Sequence, residues 1–202
     1  MQGLFAEAKA LKEKLSSAAD VCYSVEKDLL RIGKIGTESI GKRIKEAAKT
    51  INKAKKPFIY FGGGLLSSKA KEEMLALAEK IDAPIGCSLM GLSVIPTDHP
   101  RFLGMQGMHG NLASTLPMHA SDLIIALGVR FSERVVGRRD KFSPDAKIVH
   151  IDIDGAELSK ILSTEHALRG DIKETLKKLI PLVRTKHNPE WNEAVVKNRE
   201  KA

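Results

Sequence analysis

Short, almost continuous apolar runs alternate with helical patterns along most of the chain. The runs have the length of strands and are rich in β-branched residues, as is typical of strands covered on both faces of a parallel sheet. They lie near residues 58–61, 84–88, 123–127, 148–153 and 166–169. Because strands that alternate with helices are joined by right-handed crossovers, the pattern predicts an α/β domain with a parallel sheet.

Apolar residues at helical spacing predict the helices between these strands. The first stripe covers residues 40–51 and stops at lysines just before Pro57, which suits a helix C-terminus. Further helices are predicted over residues 69–81, 111–119, 156–161 and 172–183. Residues 90–110, in contrast, are rich in Gly and Pro and are predicted to form a long loop.

Two glycines near the N-terminus mark a boundary in the chain. Residues 1–33 carry apolar positions at helical spacing but no residues that suggest chemistry. Gly33 and Gly36 then predict a hinge or linker. The length of 202 residues suits one α/β domain with a terminal extension. We therefore predict a helical extension or linker over 1–36, a central domain over 37–185 and a C-terminal tail or linker over 186–202.

Composition argues against nucleic acid and membrane as partners. The net charge of +8 comes from the flanking segments, so it is typical of solvated helix surfaces and not of a nucleic-acid footprint. Aromatic residues make up only 4% of the chain, too few for base stacking. No apolar run approaches the roughly 18 residues of a membrane span.

The N-terminus and the cysteines predict a cytoplasmic location. Glu7 and Lys9 interrupt any apolar segment of a signal peptide. Cys22 and Cys87 lie far apart and form no metal-ligand spacing. We therefore expect two reduced thiols in a cytoplasmic protein.

Polar chemistry begins where two of the predicted strands end. Arg130 and Arg134 follow the run at 123–127, and the run at 148–153 ends in Asp152-Ile153-Asp154. Ligands of open α/β sheets bind outside the carboxyl ends of the strands. The arginines would bind phosphate and the acid would accept a ribose hydroxyl, so the pattern predicts a dinucleotide site. Surface arginines on a loop are the alternative interpretation.

Two glycine motifs add candidate ligand contacts. Gly62-Gly63-Gly64 lies between a predicted strand and a helix, as in anion-binding turns. Ser67 stands where the dinucleotide fingerprint has its third glycine, so a purely structural turn is equally compatible. Gly107-Met108-His109-Gly110 lies in the long predicted loop, where a functional segment or lid is expected. His109 is either a donor to a ligand or a packed loop histidine.

The order and spacing of these motifs over residues 40–182 resemble the central domain of acetolactate synthase (acetohydroxyacid synthase) large subunits, which are thiamine-diphosphate-dependent enzymes. The motifs that carry the resemblance are Gly62-Gly63-Gly64, Leu89-Met90-Gly91-Leu92, Gly107-Met108-His109-Gly110, Gly128-Val129-Arg130-Phe131-x-x-Arg134-Val135, the segment Lys147 to Asp154, and Gly170-Asp171. The resemblance implies a Rossmann-like three-layer domain with a six-stranded, mostly parallel sheet that binds FAD.

Carried over to this sequence, the resemblance implies a set of cofactor contacts but no catalytic residue and no metal ligand. The implied FAD contacts are Gly62, Gly63, Gly64, Ser88, Leu89, Gly107, Met108, His109, Gly128, Arg130, Arg134, Val135, Asp152, Ile153 and Asp171. Arg130 and Arg134 would face the diphosphate and flavin side, and Asp152 would accept from a ribose hydroxyl.

The same resemblance implies a larger enzyme with further domains. That enzyme would bind thiamine diphosphate and Mg²⁺ outside this chain and condense two pyruvates, or pyruvate with 2-ketobutyrate, with loss of CO₂ in branched-chain amino-acid biosynthesis. A homo-oligomer built by the other domains and a regulatory subunit are further implied partners, and the chain alone would be inactive. Two alternatives stay open: a stand-alone nucleotide-binding or scaffold module, and the central domain of another thiamine-diphosphate-dependent carboligase or decarboxylase.

Overall fold

A computed structural model describes residues 40–200 of the chain, so the predicted extension over residues 1–36 and Cys22 lie outside the described residues. Within the described part, six strands form one sheet in the order β3-β2-β1-β4-β5-β6. Every neighbouring pair is parallel. The strands are β1 (Pro57–Phe61), β2 (Ile85–Cys87), β3 (Phe102–Met105), β4 (Leu123–Leu127), β5 (Lys147–Asp152) and β6 (His166–Arg169). The predicted α/β class and six-stranded parallel sheet are confirmed.

Seven α-helices connect or flank the strands in residues 40–200. They are α1 (Ile40–Lys53), α2 (Gly63–Ser67), α3 (Lys71–Lys80), α4 (Leu112–Ala120), α5 (Glu133–Val136), α6 (Ile172–Leu179) and α7 (Pro189–Glu200). Two short 3₁₀ helices lie at Leu89–Gly91 and Ile180–Leu182.

Two helix predictions are corrected by local backbone chemistry. The helix predicted over 156–161 is a series of turns, and Ser159 adopts a positive φ of 59° that interrupts any helix there. The helix predicted from residue 69 begins at Lys71, because Lys69 also has a positive φ, of 51°. Both positions carry ordinary side chains, so their sequence gives no signal of the interruption.

The sixth strand, β3, lies inside the segment predicted to be a long loop. It has four residues and contains Gly104, and glycine weakens a strand signal. Its pairing with β2 shifts register between Ile85 and Cys87. A short, irregular edge strand of this kind has no clear period-2 pattern, so the loop prediction for residues 90–110 was wrong at this place.

Hydrophobic layers cover both faces of the sheet and make the domain three-layered. On β1, Ile59 and Phe61 belong to a core shared with α1, α3 and α6, whereas Phe58 and Tyr60 belong to the core on the opposite face. Alternate residues of a strand point to opposite faces, so a continuous apolar run is needed to fill both layers. This explains why the central strands read as unbroken apolar segments.

The C-terminal helix α7 completes the second layer. Trp191 is 5% exposed, and its indole Nε1 donates a hydrogen bond to the carbonyl of Pro57 at 3.0 Å. Val195 packs in the same core. The predicted tail over 186–202 therefore contributes core residues to the domain.

None of the helices in residues 40–200 combines the length and the apolar character that crossing a bilayer would need.

Candidate functional site

An open cavity of about 860 Å³ lies at the carboxyl ends of the central strands. Residues just beyond the ends of β1, β2, β3 and β4 line it. In this sheet, β2 and β3 are added on one side of β1, and β4, β5 and β6 are added on the other. The crevice at such a switch point, here between β1 and β4, is where doubly wound α/β domains bind ligands. The cavity volume is that of a site for a cofactor or a drug-sized molecule.

Most residues predicted from the motifs meet in the wall of this cavity. These are Gly63, Gly64, Ser88, Leu89, Met108, His109, Gly128, Arg130, Arg134 and Val135. Five predicted residues do not line it, namely Gly62, Gly107, Asp152, Ile153 and Asp171. Further lining residues were not predicted, namely Leu66, Ser67, Met90, Met105, Gln106, Val129 and Ser132.

The glycine run joins the ends of β1 and β4. A Cβ on Gly62 would lie 2.6 Å from the carbonyl oxygen of Gly128, and one on Gly64 would lie 2.6 Å from the Cα of Gly128. Gly63, in contrast, would place a Cβ 3.2 Å from that of Met90, and both residues line the cavity. The run therefore serves mainly close packing of backbone on backbone, and α2 begins within it at Gly63.

The cavity wall carries positive charge. Arg130 and Arg134 both contribute to it, and the described lining residues include no Asp or Glu. Nε of Arg130 lies 3.7 Å from Oε1 of Glu157 just outside, but the Arg130 side chain is 78% exposed. That exposure leaves its guanidinium accessible to a ligand, so the cavity favours an anion such as a phosphate group.

Backbone hydrogen bonds fix the loop that carries Met108 and His109. The N–H of Met108 donates to the carbonyl of Arg134 at 2.8 Å, and the N–H of Gly110 donates to the carbonyl of Gly107 at 2.8 Å. The loop after β3 is thereby tied to helix α5. Arg134 is consequently positioned from two sides, through α5 and through the loop that faces it.

Asp152 lies at the same edge of the sheet but points its carboxylate elsewhere. Oδ1 accepts a hydrogen bond from the N–H of Asp154 at 2.9 Å, and Oδ2 lies 3.9 Å from Nε2 of His150. The N–H of Gly128 donates to the carbonyl of Ile151 at 2.9 Å, so the ends of β4 and β5 are adjacent. The role of Asp152 as a ribose acceptor stays a prediction.

The other two predicted residues beyond β5 and β6 are also outside the wall. Ile153 is 71% exposed. Oδ1 of Asp171 accepts a hydrogen bond from the N–H of Glu174 at 2.9 Å and caps helix α6, a structural task that Asp performs well. Contacts of either residue with a ligand stay predictions.

A buried histidine beneath the site was missed by the sequence analysis. His150 is 1% exposed, and its ring packs edge-on against Phe131 with centroids 5.3 Å apart. Nε2 lies 3.0 Å from the carbonyl oxygen of Val129. Since a carbonyl only accepts, Nε2 carries the proton and donates to it. Burial lowers the pKa of His150, so the neutral ring holds the turn that presents Arg130.

Comparison with known proteins identifies the family. Residues 44–179 match the family described as "Thiamine pyrophosphate enzyme, central domain". The chain belongs to this family.

Relatives of this thiamine pyrophosphate enzyme central domain are acetolactate synthases. The chain is 43% identical over 152 residues to the acetolactate synthase isozyme 1 large subunit of Escherichia coli, covering 75% of this chain and 27% of that protein. It is 45% identical over 139 residues to the acetolactate synthase large subunit of Corynebacterium glutamicum, covering 69% and 22%. It is 41% identical over 156 residues to the acetolactate synthase of Mycobacterium bovis, covering 77% and 25%. The chain thus spans about a quarter of the length of the relatives it matches.

The described part of this central domain offers no side-chain cluster for a metal ion. No group of three or more His, Cys, Asp or Glu side chains within residues 40–200 is arranged to hold a metal ion. The described cysteine, Cys87, is a free and buried thiol, and burial raises its pKa to about 12. A thiol that stays protonated is a poor nucleophile, so Cys87 acts as a core residue.

Proposed function

We propose that this chain is the central domain of an acetolactate synthase large subunit and that its cavity binds FAD. The observation that carries the proposal is the cationic cavity at the switch point between β1 and β4. Its position, its volume and the absence of carboxylates from its described wall all suit a dinucleotide with a diphosphate. The names of the relatives support the choice of enzyme.

The residues present fit a flavin nucleotide. Arg130 and Arg134 supply positive charge for the diphosphate, and guanidinium groups bind phosphate through paired hydrogen bonds. Apolar side chains at the mouth, such as Met90 and Met108, are 71% and 74% exposed. Burying them against an aromatic ring system would remove apolar surface from water. A buried amide oxygen in the wall, on Gln106, also lacks a partner among the described residues.

Roles for individual residues follow from their places in the wall. Gly63 and Ser88 lie just beyond the ends of β1 and β2; Gly63 would let the ligand approach the backbone, and the hydroxyl of Ser88 would offer it a hydrogen bond. Arg130 and Arg134 face the diphosphate and flavin side, with His109 beside them as a further donor. Gly62, Gly107, Asp152, Ile153 and Asp171 remain proposed contacts, and Asp152 is the proposed acceptor for a ribose hydroxyl.

The activity of the whole protein is also a proposal. FAD would serve here as a structural group, and bound thiamine diphosphate with Mg²⁺, held outside this chain, would supply the chemistry that decarboxylates pyruvate and joins its two-carbon unit to a second 2-keto acid. Residues of this chain would bind and orient FAD and contribute no catalytic group. We further propose a cytoplasmic homo-oligomer that works with a regulatory subunit.

Flavin retention tests the proposed site directly. The chain is mixed with FAD and dialysed, and bound flavin is measured from its visible absorbance. We expect retention by the unaltered chain and a loss of roughly tenfold or more in affinity for Arg130→Ala and Arg134→Ala, because each removes a charge-assisted contact to phosphate. Arg184→Ala is the matched control, since this exposed arginine does not line the cavity. Equal retention by all four proteins would refute the assignment of the arginines.

A further inference from the structure

The side chain of Gln106 is the one buried polar group in the described cavity wall that keeps an unused hydrogen-bonding atom. Gln106 follows β3 directly and is 3% exposed. Its backbone N–H donates to the carbonyl of Cys87 at 2.8 Å, which continues the pairing of β3 with β2. The position of the residue in the wall is therefore set by the sheet itself.

The orientation of the Gln106 amide is fixed by its neighbours. Nε2 donates to the carbonyl of Ser114 at 2.8 Å and also to the Ser114 hydroxyl. Because a carbonyl accepts and never donates, the end of the amide that faces Ser114 must be the NH₂ group. Gly86 leaves room for it, since a Cβ there would lie 2.4 Å from Nε2. The oxygen, Oε1, is consequently the free end.

Oε1 of Gln106 is buried and has no partner among the described residues. A buried acceptor without a hydrogen bond is costly, and nearly all such groups in native proteins are satisfied by protein, water or ligand. Among the other polar side chains of the wall, Arg130 and Arg134 only donate, whereas His109 and the serines Ser67, Ser88 and Ser132 can both donate and accept. Oε1 of Gln106 therefore adds an acceptor to a wall whose charged groups are donors only.

We propose that Oε1 of Gln106 accepts a hydrogen bond from an O–H or N–H group of the molecule held in this cavity, and that Gln106 is a specificity-determining residue of the site. The inference rests on the proposed function, in which that molecule is FAD. FAD carries donors on its flavin ring, its ribityl chain, its ribose and its adenine. A ligand that places a donor at Oε1 satisfies this buried acceptor, whereas a ligand or a pose that places none there leaves it unsatisfied and binds more weakly.

Binding measurements on two matched variants test the inference. Gln106→Met keeps the length and much of the volume of the side chain but removes the acceptor. Ser114→Ala removes a hydroxyl that holds the amide and leaves Oε1 in place. Dissociation constants are measured by titration calorimetry with FAD, FMN and ADP. We expect Gln106→Met to bind FAD about tenfold more weakly and Ser114→Ala to stay within about twofold of the unaltered chain. FMN represents the flavin half of FAD and ADP the adenosine half. We expect Gln106→Met to weaken the binding of only one of these two ligands, and that ligand identifies the half of FAD that carries the donor.

Three outcomes would overturn the inference. If Gln106→Met binds FAD as tightly as the unaltered chain, water alone satisfies Oε1 and the proposed FAD site stands without this contact. If Gln106→Met and Ser114→Ala lose affinity for FAD equally, the loss results from disturbed packing around the Gln106 amide and not from the missing acceptor. If the unaltered chain binds no FAD, the proposed function and this inference fall together.

Ligand analogues give a test that does not depend on the stability of Gln106→Met. FAD analogues that each lack one donor are bound to the unaltered chain. We expect one of them to lose affinity by about tenfold, and we expect that loss to shrink in Gln106→Met if this variant folds. Equal affinities of the unaltered chain for all analogues would rule out an accepted hydrogen bond at Oε1.

Discussion

The amide N–H of Gly64 donates to the carbonyl of Gly128 at 3.0 Å, so the two backbone segments are in direct contact. A Cβ on Gly64 would lie 2.6 Å from the Cα of Gly128, and a Cβ on Gly128 would lie 2.6 Å from the Cα of Gly64. This contact joins the first turn after β1 to the end of β4. Both residues also line the cavity, so the shape of the proposed site depends on two residues that have no side chain.

Substituting Gly64 by alanine should therefore lower both stability and ligand affinity. The added Cβ would meet backbone and not a flexible side chain, and overpacking of this kind costs about 1–3 kcal/mol. Gly128→Ala should be at least as harmful, since Gly128 also has a φ of +54° that disfavours any side chain.

Gly41→Ala is the matched control for these variants. Gly41 lies in helix α1, and a Cβ there would meet nothing within 4 Å. Alanine is the better helix former, so this change should leave stability unchanged or raise it by up to about 1 kcal/mol. Urea unfolding followed by circular dichroism measures all three. An unfolding midpoint for Gly64→Ala equal to that of the unaltered chain would show that the backbones can separate at no cost.

The sequence was sufficient for the central part of this fold because the buried strands are local patterns. The apolar runs at residues 123–127 and 148–153 predicted β4 and β5 nearly to the residue. β3 was missed because its four residues include a glycine and pair with a shifted register. Its existence depends on the edge that β2 offers, which is a tertiary property and leaves little trace in the sequence.

The candidate site likewise has a part that the sequence predicted and a part that it did not. Glycines and arginines at strand ends are visible as motifs, and Gly63, Arg130 and Arg134 do line one cavity. Gln106 and His150 were not predicted, because the importance of Gln106 lies in a buried oxygen without a partner among the described residues and that of His150 lies in a buried hydrogen bond to the carbonyl of Val129. His150 did have a weak signal, as a polar residue within an otherwise apolar strand.

Stability should fall in mild acid because His150 is buried as a neutral ring. Burial lowers the pKa of His150 in the folded state, although Asp152 acts in the opposite direction. The unfolded chain therefore binds the proton more readily. The stabilisation is complete above the ordinary histidine pKa of 6.5 and is lost as the pH falls through the lower folded value.

Replacing His150 should flatten this dependence. His150→Gln keeps an N–H donor for the carbonyl of Val129 but does not titrate. The free energy of unfolding, measured by urea titration at a series of pH values, should decrease less steeply below pH 6.5 in this variant. His166 also has a pKa lowered by burial, so His166→Gln is needed to separate the two contributions. An unchanged slope in His150→Gln would show that His150 is not the group responsible.

Helix α7 should unfold together with the sheet and not as an independent tail. Trp191 is buried and bonded to the carbonyl of Pro57, and it is the only tryptophan of the chain. Its fluorescence should therefore shift to longer wavelength in the same transition that circular dichroism detects. Trp191→Ala should cost about 3–5 kcal/mol, and Trp191→Phe should cost less because it keeps an aromatic ring in the core. A fluorescence change at clearly lower denaturant than the loss of helix signal would mark residues 186–202 as a separate unit.

Two substitutions of Asp171 should distinguish its role in capping helix α6 from its proposed role in binding FAD. Its carboxylate accepts a hydrogen bond from the N–H of Glu174 at the start of α6, and it is also a proposed FAD contact. Asp171→Ala should lower stability by about 1 kcal/mol through loss of the cap, whereas Asp171→Ser should retain the cap and most of that stability. If the carboxylate also contacts FAD, both variants will bind FAD more weakly, by similar factors. Full affinity in Asp171→Ser, measured by the same flavin titration, would leave Asp171 with its structural task alone and would move the ligand away from the start of α6.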